Sequence, residues 1–227
     1  MGTGKFDKAH DCLNAVRSGR ISINGKIIAN PNYFFNPKRC FVRFENKNLN
    51  QIKKFYFILN KPSGYICQKS RNEKTIYNLI EKLKMPKESK SSLFAVGRLD
   101  KDTEGLIVLT NDGKLSNYLA NPETEIKKQY YAKLEKAVDA DEIKKLENGI
   151  EIDICHEKYK TKPSRIKIIY EREINITIYE GKKRQIRKMF EAINNKVVYL
   201  KRTAIGNLKL GNLKNGEIRE VSKEEIF

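Results

Sequence analysis

Short apolar segments of strand type recur along this chain without the regular alternation of strand and helix that a parallel sheet needs. Strand candidates fall near residues 56–60, 106–110, 129–134, 164–170, 174–179, 197–201 and 206–210. Between them, helical spacing of apolar residues fits 75–84, 114–120, 139–147 and 183–194, with Asp139 placed to cap the third. Strands in succession with occasional helices point to the α+β class, a largely antiparallel mixed sheet with flanking helices. The 227 residues allow one medium domain and a small one. No internal repeat is visible.

The small unit is expected over residues 1–44, which are rich in Lys and Arg. Ala15, Val16 and Cys12 share one face of a helix over 8–18, and Gly19 suits its C-cap. Ile21-Ser22-Ile23-Asn24-Gly25-Lys26-Ile27-Ile28 reads as strand, Asn-Gly turn, strand. Residues 45–53 are polar and Asn-rich and suit a linker. The main domain is expected over 54–227.

The formal charge of +18, from 46 Lys and Arg against 28 Asp and Glu, points to a polyanionic partner, nucleic acid first. The alternative is a plain solvated basic surface. The four cysteines, Cys12, Cys40, Cys67 and Cys155, form no Cys-x-x-Cys pair, and the two histidines, His10 and His156, complete no zinc spacing. Reduced thiols and no metal site are expected. No apolar run reaches membrane-spanning length and no signal pattern opens the chain. That suits the cytoplasm or an organelle with ribosomes.

The densest chemistry lies in Gly97-Arg98-Leu99-Asp100-Lys101-Asp102-Thr103-Glu104-Gly105, followed by the apolar run Leu106-Ile107-Val108-Leu109-Thr110 and then Asn111-Asp112-Gly113. Asp100 sits between basic residues in a turn, with Asp102, Glu104 and Asp112 as competing carboxylates. A turn aspartate that caps a backbone donor would look the same. A pair of carboxylates could also serve a glycosidase, but the chain is basic and has no Trp for a sugar platform. Around Gln185, Ile186, Met189, Phe190 and Ile193 fall on one helix face and Arg184, Arg187 and Lys188 on the other. Tyr130 and Tyr131 are adjacent in a strand, so one faces each side of the sheet. Lys53, Lys54, Lys127, Lys128, Lys182, Lys183, Lys201 and Arg202 are candidate phosphate contacts.

Four blocks, in order, resemble the RsuA-like pseudouridine synthases, which isomerise uridine in ribosomal RNA. They are Asn60-Lys61-Pro62-Ser63-Gly64, the stretch from Gly97 to Gly113, Lys128-Gln129-Tyr130, and the stretch from Glu180 to Ile193. Leu200-Lys201-Arg202-Thr203-Ala204-Ile205-Gly206 fits as a tail. Ser18-Gly19-Arg20-Ile21-Ser22-Ile23-Asn24-Gly25 resembles the centre of an S-four RNA-binding domain whose first helix is absent or shortened. The resemblance implies a pseudouridine synthase-like fold and a cofactor-free reaction on a flipped-out base. It implies Asp100 as the essential carboxylate, Arg187 as its ion-pair partner and Tyr130 stacked on the uracil. Arg98 would fill the gap left by the base, and Leu200 would floor the pocket, though ordinary core packing explains Leu200 equally well. Lys61 would contact the RNA backbone or support the active-site loop, and Arg184 and Lys188 would face the substrate. The implied partner is ribosomal RNA or a ribosome-assembly intermediate, met by a monomer. A noncatalytic RNA-binding or assembly protein on the same fold is the alternative.

Overall fold

The apolar run after Gly105 is a central strand of a sheet, and the residues of both its faces are buried. A computed structural model of the protein describes residues 5–6, 9–37, 39–49 and 53–226. The chain divides into two compact units, residues up to 54 with 84–93, and residues 55–83 with 94–227.

The first unit opens with α1 (Ala9–Arg17), which ends where Gly19 takes a φ of +68°. Then come β1 (Ile21–Ile23), β2 (Lys26–Ile27), β3 (Val42–Phe44) and β4 (Lys47–Asn48), in the antiparallel order β2-β1-β3-β4. Asn24 and Gly25, both at positive φ, make the expected turn. Ala15, Ile21 and Phe44 form the small core, with Phe6 edge-on to Phe44 at 5.1 Å between ring centres. The expected linker over 45–53 is corrected at its start. Glu45 and Asn46 adopt left-handed conformations and close the β3–β4 hairpin. Asn-rich polarity marks a tight turn here, because Asn tolerates positive φ. Residues 50–52 of that segment lie outside the described residues.

In the second unit, β5 (Tyr56–Lys61) leads to α2 (Ile76–Ile80). The intervening segment 84–93 with α3 (Lys87–Ser92) groups with the first unit, contrary to the expectation that everything from residue 54 belongs together. The chain continues through β6 (Phe94–Val96), β7 (Glu104–Thr110), α4 (Gly113–Ala120), β8 (Lys128–Leu134) and α5 (Ala140–Glu147). After the hairpin β9 (Glu151–Ile154) and β10 (Glu157–Lys160) come β11 (Arg165–Tyr170), β12 (Glu173–Ile178), α6 (Gln185–Glu191) and β13 (Val197–Ile205). The elements end with β14 (Leu208–Lys209), β15 (Ile218–Glu220) and α7 (Lys223–Ile226). Caps are local: Asp139 accepts from the Glu142 N–H at 2.8 Å while Glu142 accepts from the Asp139 N–H at 3.0 Å.

Nine strands form the main sheet in the order β11-β12-β8-β13-β7-β5-β15, with β14 added beside β13 and β6 beside β7. The pairings are antiparallel except at one seam, where β13 runs parallel to β7 and Arg202 lies opposite Gly105. That seam requires glycine. Gly105 has φ +105°, and a Cβ there would lie 2.2 Å from the Arg202 carbonyl oxygen. Ile58, Leu106 and Val108 pack on one face with Leu115, Leu119, Val221 and Ile226. Ile107 and Leu109, also inaccessible to solvent, point to the opposite face.

Two sequence expectations change. The strands expected at 197–201 and 206–210 are one long strand, β13, followed by a turn at Gly206 and the short β14. Arg202, a candidate phosphate contact by sequence, is buried within that strand and donates from Nε to the Leu106 carbonyl at 2.7 Å. The polar β9–β10 hairpin, absent from the sequence reading, turns at Cys155 and His156, both at positive φ.

Candidate active site

A cavity of about 460 Å³ opens beside the parallel seam of the main sheet. Its wall is drawn from the 97–103 loop, β8, the 180–186 segment and β13. The lining residues Arg98, Lys182 and Lys183 are exposed and form its rim. Tyr130, Leu200, Arg202 and Thr103 are buried and form its interior wall.

The four carboxylates of the central motif separate cleanly. Asp112 caps α4, accepting from the Lys114 N–H at 3.1 Å and from the Tyr56 hydroxyl at 3.1 Å. Glu104 accepts from the Tyr199 hydroxyl at 2.7 Å. Burial, with that hydrogen bond, pushes the Tyr199 phenol well above its usual range. Asp102 forms ion pairs with Arg184 at 3.3 Å and Arg187 at 3.1 Å. Asp100, half-buried on the cavity wall, has no side-chain hydrogen-bond or ion-pair partner among the described residues. Only its backbone carbonyl is engaged, accepting from the Thr103 N–H at 3.1 Å. Its carboxylate caps nothing.

The loop that carries Asp100 is anchored from behind. Lys61 is fully buried, and its ammonium donates to the carbonyls of Tyr65 at 2.7 Å, Pro62 at 2.9 Å and Lys101 at 3.3 Å. Desolvation lowers its pKa, and nearby Cys67 and the carboxylates of Asp102, Glu104 and Asp100 oppose that. Cys67 brackets Leu99 in the same way, accepting from its N–H at 3.3 Å and donating to its carbonyl at 3.4 Å. Lys61 as an RNA contact is therefore corrected: all three of its protons are spent on backbone and none of its surface is exposed. It supports the loop that carries Asp100.

Arg187 also differs from expectation. It is buried, donates from Nη1 to the Val197 carbonyl at 2.7 Å, and pairs with Asp102 rather than Asp100. It does not line the cavity. Apolar residues at helical spacing suggested a helix with one basic, open side, but Gln185 and Arg187 are buried along with Ile186, Met189 and Phe190. Lys188 is likewise off the cavity, its ammonium directed to the Asp153 carbonyl in β9. Arg184 does line the cavity, at the left-handed residue (φ 53°) that starts α6.

On β8, Tyr130 faces the cavity and Tyr131 the opposite side, where its hydroxyl donates to Glu173 at 2.5 Å. Tyr130 is nonetheless the more buried of the two, because the cavity is recessed. Its hydroxyl has no partner among the described residues. Arg98 too is unpaired among them, at the rim.

Sequence reasoning missed Glu180. It is 3% exposed and accepts from the Gln185 amide at 2.7 Å, the Lys162 N–H at 2.9 Å and the Tyr159 hydroxyl at 2.5 Å. That last bond pushes the Tyr159 phenol up to about 12. Gln185 in turn accepts from the Lys182 N–H at 3.0 Å. The hub fixes the basic 181–184 loop at the rim. The polar residue ahead of Gly181 was its only sequence signal.

A family profile described as RNA pseudouridylate synthase matches residues 55–192. The chain belongs to the RNA pseudouridylate synthase family. It is 37% identical over 218 residues to an uncharacterized RNA pseudouridine synthase of Aquifex aeolicus, covering 93% of this chain and 84% of that protein. It is 35% identical over 212 residues to ribosomal small subunit pseudouridine synthase A of Salmonella typhimurium, covering 93% and 89%. Among solved structures, a crystal structure of pseudouridylate synthase superposes with a TM-score of 0.70 at 32% identity, over 96% of this chain and 92% of that one. The chain is thus an RNA-modifying isomerase on the expected fold. The profile match stops before β13, yet β13 supplies Leu200 and Arg202 to the cavity wall.

Proposed function

We propose that the protein converts a uridine of ribosomal RNA to pseudouridine, with Asp100 as the reacting carboxylate. The observation that carries this reading is the unpartnered Asp100 carboxylate on a recessed cavity that Tyr130 also walls. The target nucleotide leaves its stack and enters the cavity, where Tyr130 stacks on the uracil, a contact worth roughly 1–3 kcal/mol, and Leu200 forms the floor. Arg98 occupies the space the base vacates, offsetting an unstacking cost of about a few kcal/mol. Asp100 attacks or stabilises the reacting nucleotide. The N1–C1′ bond breaks with its electron pair left on the base. The base turns, C5 supplies the pair for a new C5–C1′ bond, the C5 proton passes to water and N1 gains a proton. No atom or electron is lost, so the balance calls for no redox partner.

Arg187 acts as a positioning residue in this reading, holding Asp102 and thereby the loop two residues from Asp100. Arg184 sits where RNA phosphates pass. The relatives' names favour small-subunit RNA, and no helix among the described residues is long and apolar enough to cross a membrane. In this reading the protein acts as a monomer in the cytoplasm.

The test is tritium release to water from small- and large-subunit ribosomal RNA made with [5-³H]uridine. Release from the small-subunit RNA alone is expected. Tight binding with no release from either RNA, free or in assembly intermediates, would establish the noncatalytic reading instead.

A further inference from the structure

We propose that the Arg202 guanidinium takes the negative charge of the departing base, at a carbonyl oxygen of the flipped uracil. This rests on the isomerase reading above. Arg202 is 3% exposed, and its Nε is used by the Leu106 carbonyl. Its Nη2 is buried and has no acceptor. No carboxylate pairs with it among the described residues. Glu180 shares the cavity wall, but Tyr159, Lys162 and Gln185 already occupy its oxygens. A buried guanidinium with an unused N–H is costly to maintain, and here the unused group is on a residue that lines the reaction cavity.

Register places it against the base. Arg202 lies directly across from Tyr130 on the neighbouring strand, so both side chains emerge on one face with Cβ atoms about 4.5–5.5 Å apart. Leu200, two residues earlier in β13, shares that face. A base stacked on Tyr130 therefore has Arg202 beside it. Lys128, also on the wall, sits near enough for the Arg202 charge to add to desolvation in lowering its pKa. The wall is thus cationic.

The oxygen is a base carbonyl rather than a phosphate. Phosphates stay in the RNA strand and so remain at the rim, with exposed Arg98, Lys182 and Lys183. Only the base reaches the interior. When the N1–C1′ bond breaks, its electron pair spreads onto the uracil carbonyls until C5 rebonds and N1 is protonated. A fixed cation at that oxygen stabilises the charge without reorganising.

The test uses Arg202→Met and Arg202→Lys in the full chain, enzyme in excess, on small-subunit RNA made with [5-³H]uridine. A second transcript carries 5-fluorouridine, whose C5 has no proton to lose after it bonds to C1′. Water therefore adds at C6 and N1, and the gain of one water at the target is followed by mass spectrometry. Fluorine withdraws electrons, so the fluorinated base needs less help in leaving. Arg202→Met is expected to lose about 100-fold in single-turnover rate while RNA affinity changes by less than about threefold. Its deficit on the fluorinated RNA is expected to shrink by about tenfold. An equal deficit on both RNAs means a packing role and overturns the proposal, as does a rate within about threefold of wild type. If Arg202→Met does not fold by circular dichroism, Arg202→Lys carries the same two-RNA comparison. No release by wild type overturns the isomerase reading and this proposal with it. Release unaffected by Arg202→Met overturns this proposal alone.

Discussion

Asp100 and Glu180 stand on two walls of one cavity and are treated in opposite ways. The 180–186 segment spends its carboxylate on structure: Glu180 is buried under three donors. The 97–103 loop instead leaves the Asp100 carboxylate out of its structural bonds. Lys61 and Cys67 hold its backbone, and two arginines hold Asp102, so Asp100 is aimed but not engaged. A saturated carboxylate has little reason to react, because any new partner must displace an existing one. An unsaturated one held on a rigid loop is ready for a ligand.

The contrast is sharpest in stability. Glu180→Gln is expected to lower the free energy of unfolding by about 2–3 kcal/mol, since buried hydrogen bonds to a charged group are lost. Asp100→Asn is expected to stay within about 0.5 kcal/mol of wild type in the same urea titration. Equal losses would break the distinction.

A smaller effect separates Asp102 from Asp100. Arg187→Gln removes the buried end of the Asp102 network and is expected to cost about 1–2 kcal/mol. It is expected to slow tritium release while leaving RNA affinity unchanged, as a positioning role requires. A selective loss of RNA binding would instead make Arg187 a substrate contact.

The smallest effect is alkaline. Folded Tyr159 keeps its proton up to about 12, held by Glu180, whereas an unfolded tyrosine releases it near 10.0. Between those values the unfolded state binds fewer protons, so stability falls as pH rises. Tyr159→Phe is expected to flatten that slope. An unchanged slope would place the alkaline loss elsewhere.

The two walls were unequally legible in sequence. Alternating and apolar segments carried the α+β class, and the Gly97–Gly113 pattern located Asp100. Neither could say which of four neighbouring carboxylates is free, because that depends on Tyr56, Tyr199, Arg184 and Arg187, brought in from distant strands and helices. Lys61 and Arg202 misled for one reason. Charge in a sequence reads as surface, yet both are buried where backbone carbonyls accept their protons. Glu180 was invisible because its donors come from β10, the segment after it and the start of α6.

The most direct measurement compares Asp100→Asn, Asp102→Asn and Glu180→Gln with wild type. All four are assayed in parallel for tritium released from [5-³H]uridine small-subunit RNA, with RNA binding and folding checked for each. Asp100→Asn is expected to bind RNA, fold as wild type does and release less than about one-thousandth as fast, while the other two retain measurable release. Release by Asp100→Asn at the wild-type rate, or its retention there with loss in Asp102→Asn, would contradict the assignment of Asp100 as the reacting carboxylate.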